Sequence, residues 1–483
     1  MKRLFRPIDI ASVAFFRFVF GILAFADVMG VWMYKHFYMG SFDPDKFQFT
    51  YYGFEWVTPF PEPLMSLFFI GMLLLTVSII LGWYYHISCL LFAFGYTYIF
   101  LMEKSYYLNH AYLFSVLCFI MATLPANRAW SLDVLRKPSI RREQIPFWPL
   151  FLLRFCMGVV YFYGGIAKIN MDWLNGMPLK LWLKQKSDMP ILGDLWAQEW
   201  VAYFMSYGGL LLDLTVVAFL LNRRTRIWAL AFVLFFHCTN LILFLIGIFP
   251  FLSTFMTLLF FAPDFPRRVF AWFSQRIKKL EQLPLWWDKK IELAIQNSHL
   301  SMAPPIYTPP NNRQKQWIFS LIAIFCFINL TLPLRHHYFD SKVAWTEEGH
   351  RYSWRMMLRS KRGYGHFRVV DLRTGELIAR ENGKKMLSKR QKHKMCTHPD
   401  MILQFAHHLK DKYQQEGRDS IAIYAYMKVK LNGRPYQNFI DPNVDLTQIE
   451  WSFLESSDWI VPFKDVDLPT TKKKKPKNQS GGE

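Results

Sequence analysis

The stretch "VVYFYGGIAKINMDW", residues 159–173, belongs to an apolar, aromatic run with no charge from Phe155 to Ala167, after which Lys168 appears. Six more ionisable side chains stand inside such runs: Arg17, Asp27, His110, Arg154, Asp213 and His237. Charges in apolar spans are costly, so each is a candidate for chemistry or for a structural ion pair. Arg17 and Arg154 fit structural pairing with Asp27, Asp213 or backbone carbonyls. Lys168 either snorkels to headgroups or acts as a base. Desolvation disfavours an ammonium, and a neutral amine there can take a proton from a weakly acidic hydroxyl, such as that of a lipid-soluble hydroquinone. "YFYGG" then supplies aromatic walls, Tyr161 and Tyr163, and two small residues through which a flat ring can approach. His110 and His237 either bond helix to helix or join that chemistry.

The elements that hold these residues are membrane spans. Of 483 residues 52% are hydrophobic, gathered in long runs, and runs of about 20 apolar residues cross a bilayer. Nine are counted, at roughly 10–33, 63–83, 87–102, 107–125, 147–169, 201–221, 227–243, 245–262 and 316–333. The expected fold is a polytopic α-helical membrane domain of about nine spans, residues 1–335, followed by an exterior α+β, mainly β, domain over 336–468 and a disordered basic tail over 469–483.

The net charge of +21 invites a nucleic-acid partner, but its distribution argues against one. Basic residues fall in alternate loops, around Lys2–Arg6, Arg128–Arg142, Arg223–Arg226 and Arg267–Lys290, the positive-inside pattern with a cytoplasmic N-terminus. Nine spans then place the C-terminal domain outside, together with the loop 34–62. At 1.5 Å per residue, Asp27, His110, Lys168 and His237 all fall toward the outer leaflet. The N-terminal "MKRLFRPIDIASVAFFRFVF" is read as a retained span, because Arg17 interrupts the apolar core that a signal peptide needs. Segment 263–315 mixes basic residues with "FAWF" and "LPLWW" and suits either a cytoplasmic interfacial segment on an anionic membrane face or a solvated basic linker.

Five of six cysteines lie in spans and Cys396 stands alone outside, so the exterior domain holds no disulfide, and Cys396, His393 and His398 are read as ordinary surface residues rather than a metal site. Alternation in "YSWRMML", "HFRVVDL" and "IAIYAYMKVKL" predicts strands. Asn432-Gly433 predicts a hairpin turn, and "HPDMILQFAHHLKDKYQQ" a helix opened by Pro399.

"VYFYGGIAKINMDW" closely resembles the segment holding the catalytic lysine of the vitamin K-dependent γ-glutamyl carboxylase family. "YLNHAYLFSVL", "PANRAWSLD", "GGLLLDL" and "FFHCTN" are similar to further membrane segments of that family. "GHRYSWRMML", "DLRTGEL", "GRPYQNFIDPNVDL" and "WSF" resemble its lumenal domain. The likeness runs from about residue 10 to 465 and implies an HTTM-like catalytic membrane domain in what would be a prokaryotic homologue.

The resemblance implies that Lys168 deprotonates reduced vitamin K, that oxygen adds, and that the resulting alkoxide takes a γ-proton from glutamate, whose carbanion captures CO2. It gives His110 a role in the carboxylation half, with Asn109 beside it, and His237 a supporting role. The partners it implies are an exported glutamate-containing protein or peptide, a lipid quinone (vitamin K or menaquinol type), O2 and CO2, with no metal and no nucleic acid. Animal members carry two adjacent lysines where this chain has Ala167-Lys168; the second is the catalytic one, so the base is retained. They also continue beyond the position of "WIVPF", and propeptide recognition is therefore not carried over. Two rivals stay open: a quinol epoxidase or oxidase without carboxylation, and a non-catalytic transporter or scaffold.

Overall fold

The computed structural model describes residues 1–244, 246–277, 289–290, 292–293 and 307–466. The expected tail over 469–483 and most of the segment after residue 277 lie outside the described residues.

Among these, seven helices have the length and apolarity to cross a membrane. They are built on α1 (Ala11–Gly30, continued by a π-helical turn to Tyr38), α2 (Leu64–Leu81), α3 (Tyr85–Met102), α5 (Trp148–Lys168), α6 (Glu199–Leu221), α7 (Arg226–Leu243) and α10 (Asn312–Thr331). Two expected spans are shorter: α4 (Asn109–Thr123) and α8 (Phe249–Leu258). At 1.5 Å per residue they extend about 22 and 15 Å, against a hydrocarbon core of about 30 Å. The run at 107–125 begins in extended backbone at Leu108, and the run at 245–262 starts its helix only where Pro250 occupies the first turn. Apolar content alone does not register either limit.

Glycine fixes two critical approaches. Gly82 closes α2 with a left-handed φ of 64°, and a Cβ there would stand 1.7 Å from Arg17 Nη1. A Cβ on Gly165 would lie 2.7 Å from Leu214 Cδ2 and 3.1 Å from its backbone nitrogen, so α5 and α6 approach more closely than any larger residue permits.

The basic segments share one face. Strand β1 (Pro7–Asp9) pairs with β2 (Gln144–Pro146), Ser12 Oγ donates to Pro263 O at 2.8 Å, Asp9 pairs with Arg267 at 3.1 Å, and the Arg226 guanidinium lies 5.6 Å from the Phe261 ring. Tyr307 OH donates to Phe5 O, which brings the start of α10 to the same side.

The C-terminal domain sits on the opposite face. Its antiparallel sheet has the order β4 (Leu377–Glu381), β3 (Lys361–Asp371), β5 (Ile421–Leu431), β6 (Gln437–Asn438). Helix α12 (Pro399–Gln415) covers one sheet face through Met401, Phe405 and Leu409 against Phe367, Ile423 and Val429. The turn at Asn432-Gly433 has positive φ at both residues and leads into β6, as expected. "YSWRMML" is not a strand. It is a run of turns with positive φ at Tyr352, Trp354 and Met357, and its aromatic residues leave the sheet to pack Tyr352 and Trp354 on Tyr112 of α4.

Polar clamps fasten this domain to the helices. Asp172, just past α5, accepts from Asn432 Nδ2 at 2.7 Å and from Arg434 at 2.8 and 3.1 Å. Asp400 meets Lys104 at 2.7 Å and Arg351 at 2.8 Å. Burial by itself would raise the Asp400 carboxyl; Arg351 and Lys104 outweigh it and hold the group far below the usual carboxylate range.

Candidate active site

The short helices α4 and α8, the ends of α5, α6 and α7, and the turns at 347–362 enclose a cavity of about 600 Å³. Lys168, His110, His237, Asn109, Tyr161 and Asp213 all line it. The helical period explains the α5 contribution: Tyr161 and Lys168, seven residues apart, share one face with Gly164 between them.

Lys168 is buried and is not isolated. Its Nζ bonds to Asp213 Oδ2 and to Gly164 O at 3.2 Å, and it lies 5.4 Å from the Trp173 ring. Asp213 therefore belongs to the site, partnering Lys168 rather than either intramembrane arginine. The glycines of "YFYGG" do not open a path for a flat ring: Gly165 is filled by Leu214, and a Cβ on Gly164 would reach Asp213 Oδ2 at 3.0 Å. Their smallness brings the carboxylate to the amine.

His110 opens α4. Its ring lies 5.8 Å from that of Phe249, and neither ring nitrogen has a hydrogen bond among the described residues. His237 approaches the same Phe249 edge-on at 5.8 Å, with Nε2 3.3 Å from Tyr161 OH, which is 3.1 Å from Ser253 Oγ. Asn109 is held by a relay in which Tyr352 N–H donates to Tyr107 OH at 2.7 Å and that hydroxyl donates to Asn109 Oδ1 at 2.9 Å.

The other expected residues lie elsewhere. Tyr163 is off the cavity and donates to Leu330 O. Arg17 donates to Trp130 O at 2.5 Å, and Arg154 to Leu259 O and Phe261 O at 2.8 and 3.1 Å, so carbonyls rather than carboxylates receive both guanidiniums. Asp27 accepts from Tyr96 OH at 2.7 Å and borders a separate cavity of about 50 Å³, which touches the far side of His110. Among the described residues no three His, Cys, Asp or Glu side chains converge as metal ligands.

The cavity has two unlike ends. Leu179, Trp182, Phe236, Phe244 and Phe249 make the end within the helices apolar. The C-terminal domain supplies a cationic roof of Arg355, Arg359, Lys361, Arg362 and Lys394, against which Glu347 is the one carboxylate among the described lining residues of that domain. Glu347 is engaged by Arg359 through two bonds and by Lys361 at 3.4 Å. Burial, reinforced by Arg359 and opposed by Glu347, pulls the amines of Lys361 and Lys394 down to about 8. Burial likewise pushes His350 and His398 well below the usual histidine range, so both are neutral at pH 7. Sequence reasoning missed this roof. The signal was present: "RYSWRMMLRSKR" carries Arg351, Arg355, Arg359, Lys361 and Arg362 with no acid inside the stretch.

An α-helical, multi-pass membrane domain with a cavity capped by a β-sheet domain defines the class of protein. Residues 5–265 match the family model of the HTTM domain, and residues 314–466 match that of the vitamin K-dependent gamma-carboxylase lumenal domain. The chain belongs to the HTTM-domain family of vitamin K-dependent gamma-carboxylases. No solved structure matches it.

Proposed function

We propose that this protein couples oxidation of a lipid hydroquinone to its epoxide with carboxylation of glutamate in an exported polypeptide. The observation that carries the reading is the single cavity with an apolar, aromatic end at Lys168 and His110 and a cationic end supplied by the exterior domain. The two ends suit two substrates of opposite character, one from the bilayer and one from the aqueous side.

The aromatic lining and the cavity volume fit the ring of a vitamin K or menaquinol-type hydroquinone, which supplies the reducing electrons and, with O2, the strong base that glutamate deprotonation needs. Lys168 takes the hydroquinone proton. Asp213, bonded to the same amine, shares that proton and keeps the buried pair from carrying an uncompensated charge. Trp173 and Gly164 O fix the position of Nζ. The roof cations bind and orient the substrate carboxylate, and Lys394, whose Nζ has no hydrogen bond among the described residues, offers a free donor for it. The imidazole of His110, whose ring nitrogens have no hydrogen bond among the described residues, handles a proton or CO2 at the carbanion carbon. Oxidation without carboxylation would leave the roof without a task.

A pH dependence follows. With amines near 8, Lys361 and Lys394 are charged below that pH and lose charge above it. The KM for a glutamate peptide is expected to stay flat at neutral pH and to rise about tenfold as pH passes well beyond 8, the scale of one charge-assisted hydrogen bond. Lys394→Met should raise KM at pH 7 and flatten the profile. A wild-type KM constant from pH 7 to 10 would refute the assignment.

The clustering of basic segments on one face supports a cytoplasmic N-terminus and an exterior C-terminal domain. A reporter fused after residue 466 is expected to be active outside the cytoplasm; activity only inside would reverse the orientation. For the function itself, mass spectrometry of glutamate-containing exported proteins co-expressed with this chain should find glutamates heavier by one carbon dioxide, and their absence would count against carboxylation.

A further inference from the structure

The sheet of the C-terminal domain has a second face that no helix or strand among the described residues covers. Strand alternation puts Arg362, Tyr364, His366 and Arg368 of β3 on it, opposite Lys430, Lys428, Tyr426 and Tyr424 of β5. Arg380 of β4 stands opposite Arg368. Two cross-strand pairs, Arg362–Lys430 and Arg368–Arg380, thus set like charges directly against each other, an arrangement that destabilises a sheet. No Asp or Glu of these strands falls on this face to relieve it, and none of the five cations makes an ion pair among the described residues.

The aromatic rings interleave with the cations. His366 stacks on Tyr426 at 5.5 Å and 6°, Tyr364 meets Tyr436 at 5.0 Å, and Lys430 Nζ lies 5.2 Å from the Tyr436 ring. Arg368 donates to Tyr426 OH at 2.8 Å while its Nε is buried without a partner. Tyr364 stays 55% exposed although it belongs to an ordered strand. At one edge this surface reaches the catalytic cavity, because Arg362 belongs to both.

We propose that this outer sheet face is a docking track for an acidic segment of the polypeptide substrate. The inference rests on the glutamate-substrate reading above and adds a second contact, outside the cavity, for residues that are not themselves being modified. A chain rich in carboxylates neutralises the opposed cations, lies across exposed rings, and is led past Arg362 to the cavity. Repulsion built into the empty face is released on binding, so the sheet gains from the partner what it lacks alone.

The test uses full-length protein in nanodiscs of neutral phosphatidylcholine, with a labelled Glu-rich peptide, its Gln counterpart, and a short peptide holding a single Glu. The combined variant Arg368→Gln, Arg380→Gln, Lys428→Gln, Lys430→Gln leaves every cavity residue in place. Its affinity for the Glu-rich peptide is expected to fall about tenfold or more at low salt. Binding of the Gln peptide and turnover of the short peptide should not change. Its melting temperature should change little, since relief of the like-charge repulsion offsets loss of the Arg368–Tyr426 hydrogen bond and the Lys430–Tyr436 ring contact. Equal affinity of wild type and variant for the Glu-rich peptide would overturn the proposal. So would loss of binding to anionic vesicles with peptide affinity intact, which would make the face a membrane contact. Tight, salt-sensitive peptide binding by a wild-type protein that fixes no CO2 would instead uphold the track and overturn the carboxylase reading.

Discussion

Lys168→Met is expected to abolish quinol epoxidation and glutamate carboxylation together. Both depend on removal of the hydroquinone proton, and Lys168 is the group whose amine faces the apolar end of the cavity. Methionine keeps the length and the apolar stem, so an anchor to the membrane edge would tolerate it. The pairing with Asp213 complicates the single variant, because an unpaired buried carboxylate costs about 3–5 kcal/mol. The double variant Lys168→Met, Asp213→Asn removes both charges and keeps the test sound if the single one folds poorly. Neither should make epoxide at neutral pH, and high pH, which ionises the hydroquinone directly, should restore part of the activity. Epoxidation near the wild-type rate in the double variant would show that the base is elsewhere.

His110→Ala should separate the two halves of the chemistry. The histidine lines the same cavity from a different helix and has no hydrogen bond among the described residues, so its removal costs stability through lost packing, as on Phe249. Epoxide should still form with a glutamate peptide present, while carboxylated product falls about 10²-fold or more, the usual scale for a positioned proton-transfer group. A histidine that merely joined two helices would instead lower both products together with the melting temperature. An unchanged ratio of epoxide to fixed carbon would remove His110 from the carboxylation step.

The sequence carried the parts of this site that depend on local pattern. Apolar runs marked the helices, the depth count brought Lys168, His110 and His237 to one level, and β-branched alternation found β5 to the residue. What it could not carry were consequences of helix pairing. Asp213 reaches Lys168 from 45 residues away only because Gly164 and Gly165 let α6 settle against α5, and a single sequence does not say which helix a glycine faces. Tyr163 illustrates an avoidable miss: residues 161, 164 and 168 share a helical face, and 163 does not. The roof was hidden for another reason. Alternation in "YSWRMML" imitates a half-buried strand, while its apolar residues are in fact spent on the membrane helices beneath it. Asp27 was placed at the right depth yet borders a different cavity, since depth leaves the angle around the bundle undefined.

The most direct measurement combines purified protein, reduced quinone, O2, isotopically labelled CO2 and a glutamate peptide in one vessel, and counts epoxide and fixed carbon together. Wild-type protein is expected to make both, fixed carbon to require the quinone, and Lys168→Met with Asp213→Asn to make neither. Wild-type protein that forms epoxide while fixing no carbon would contradict the coupled reaction.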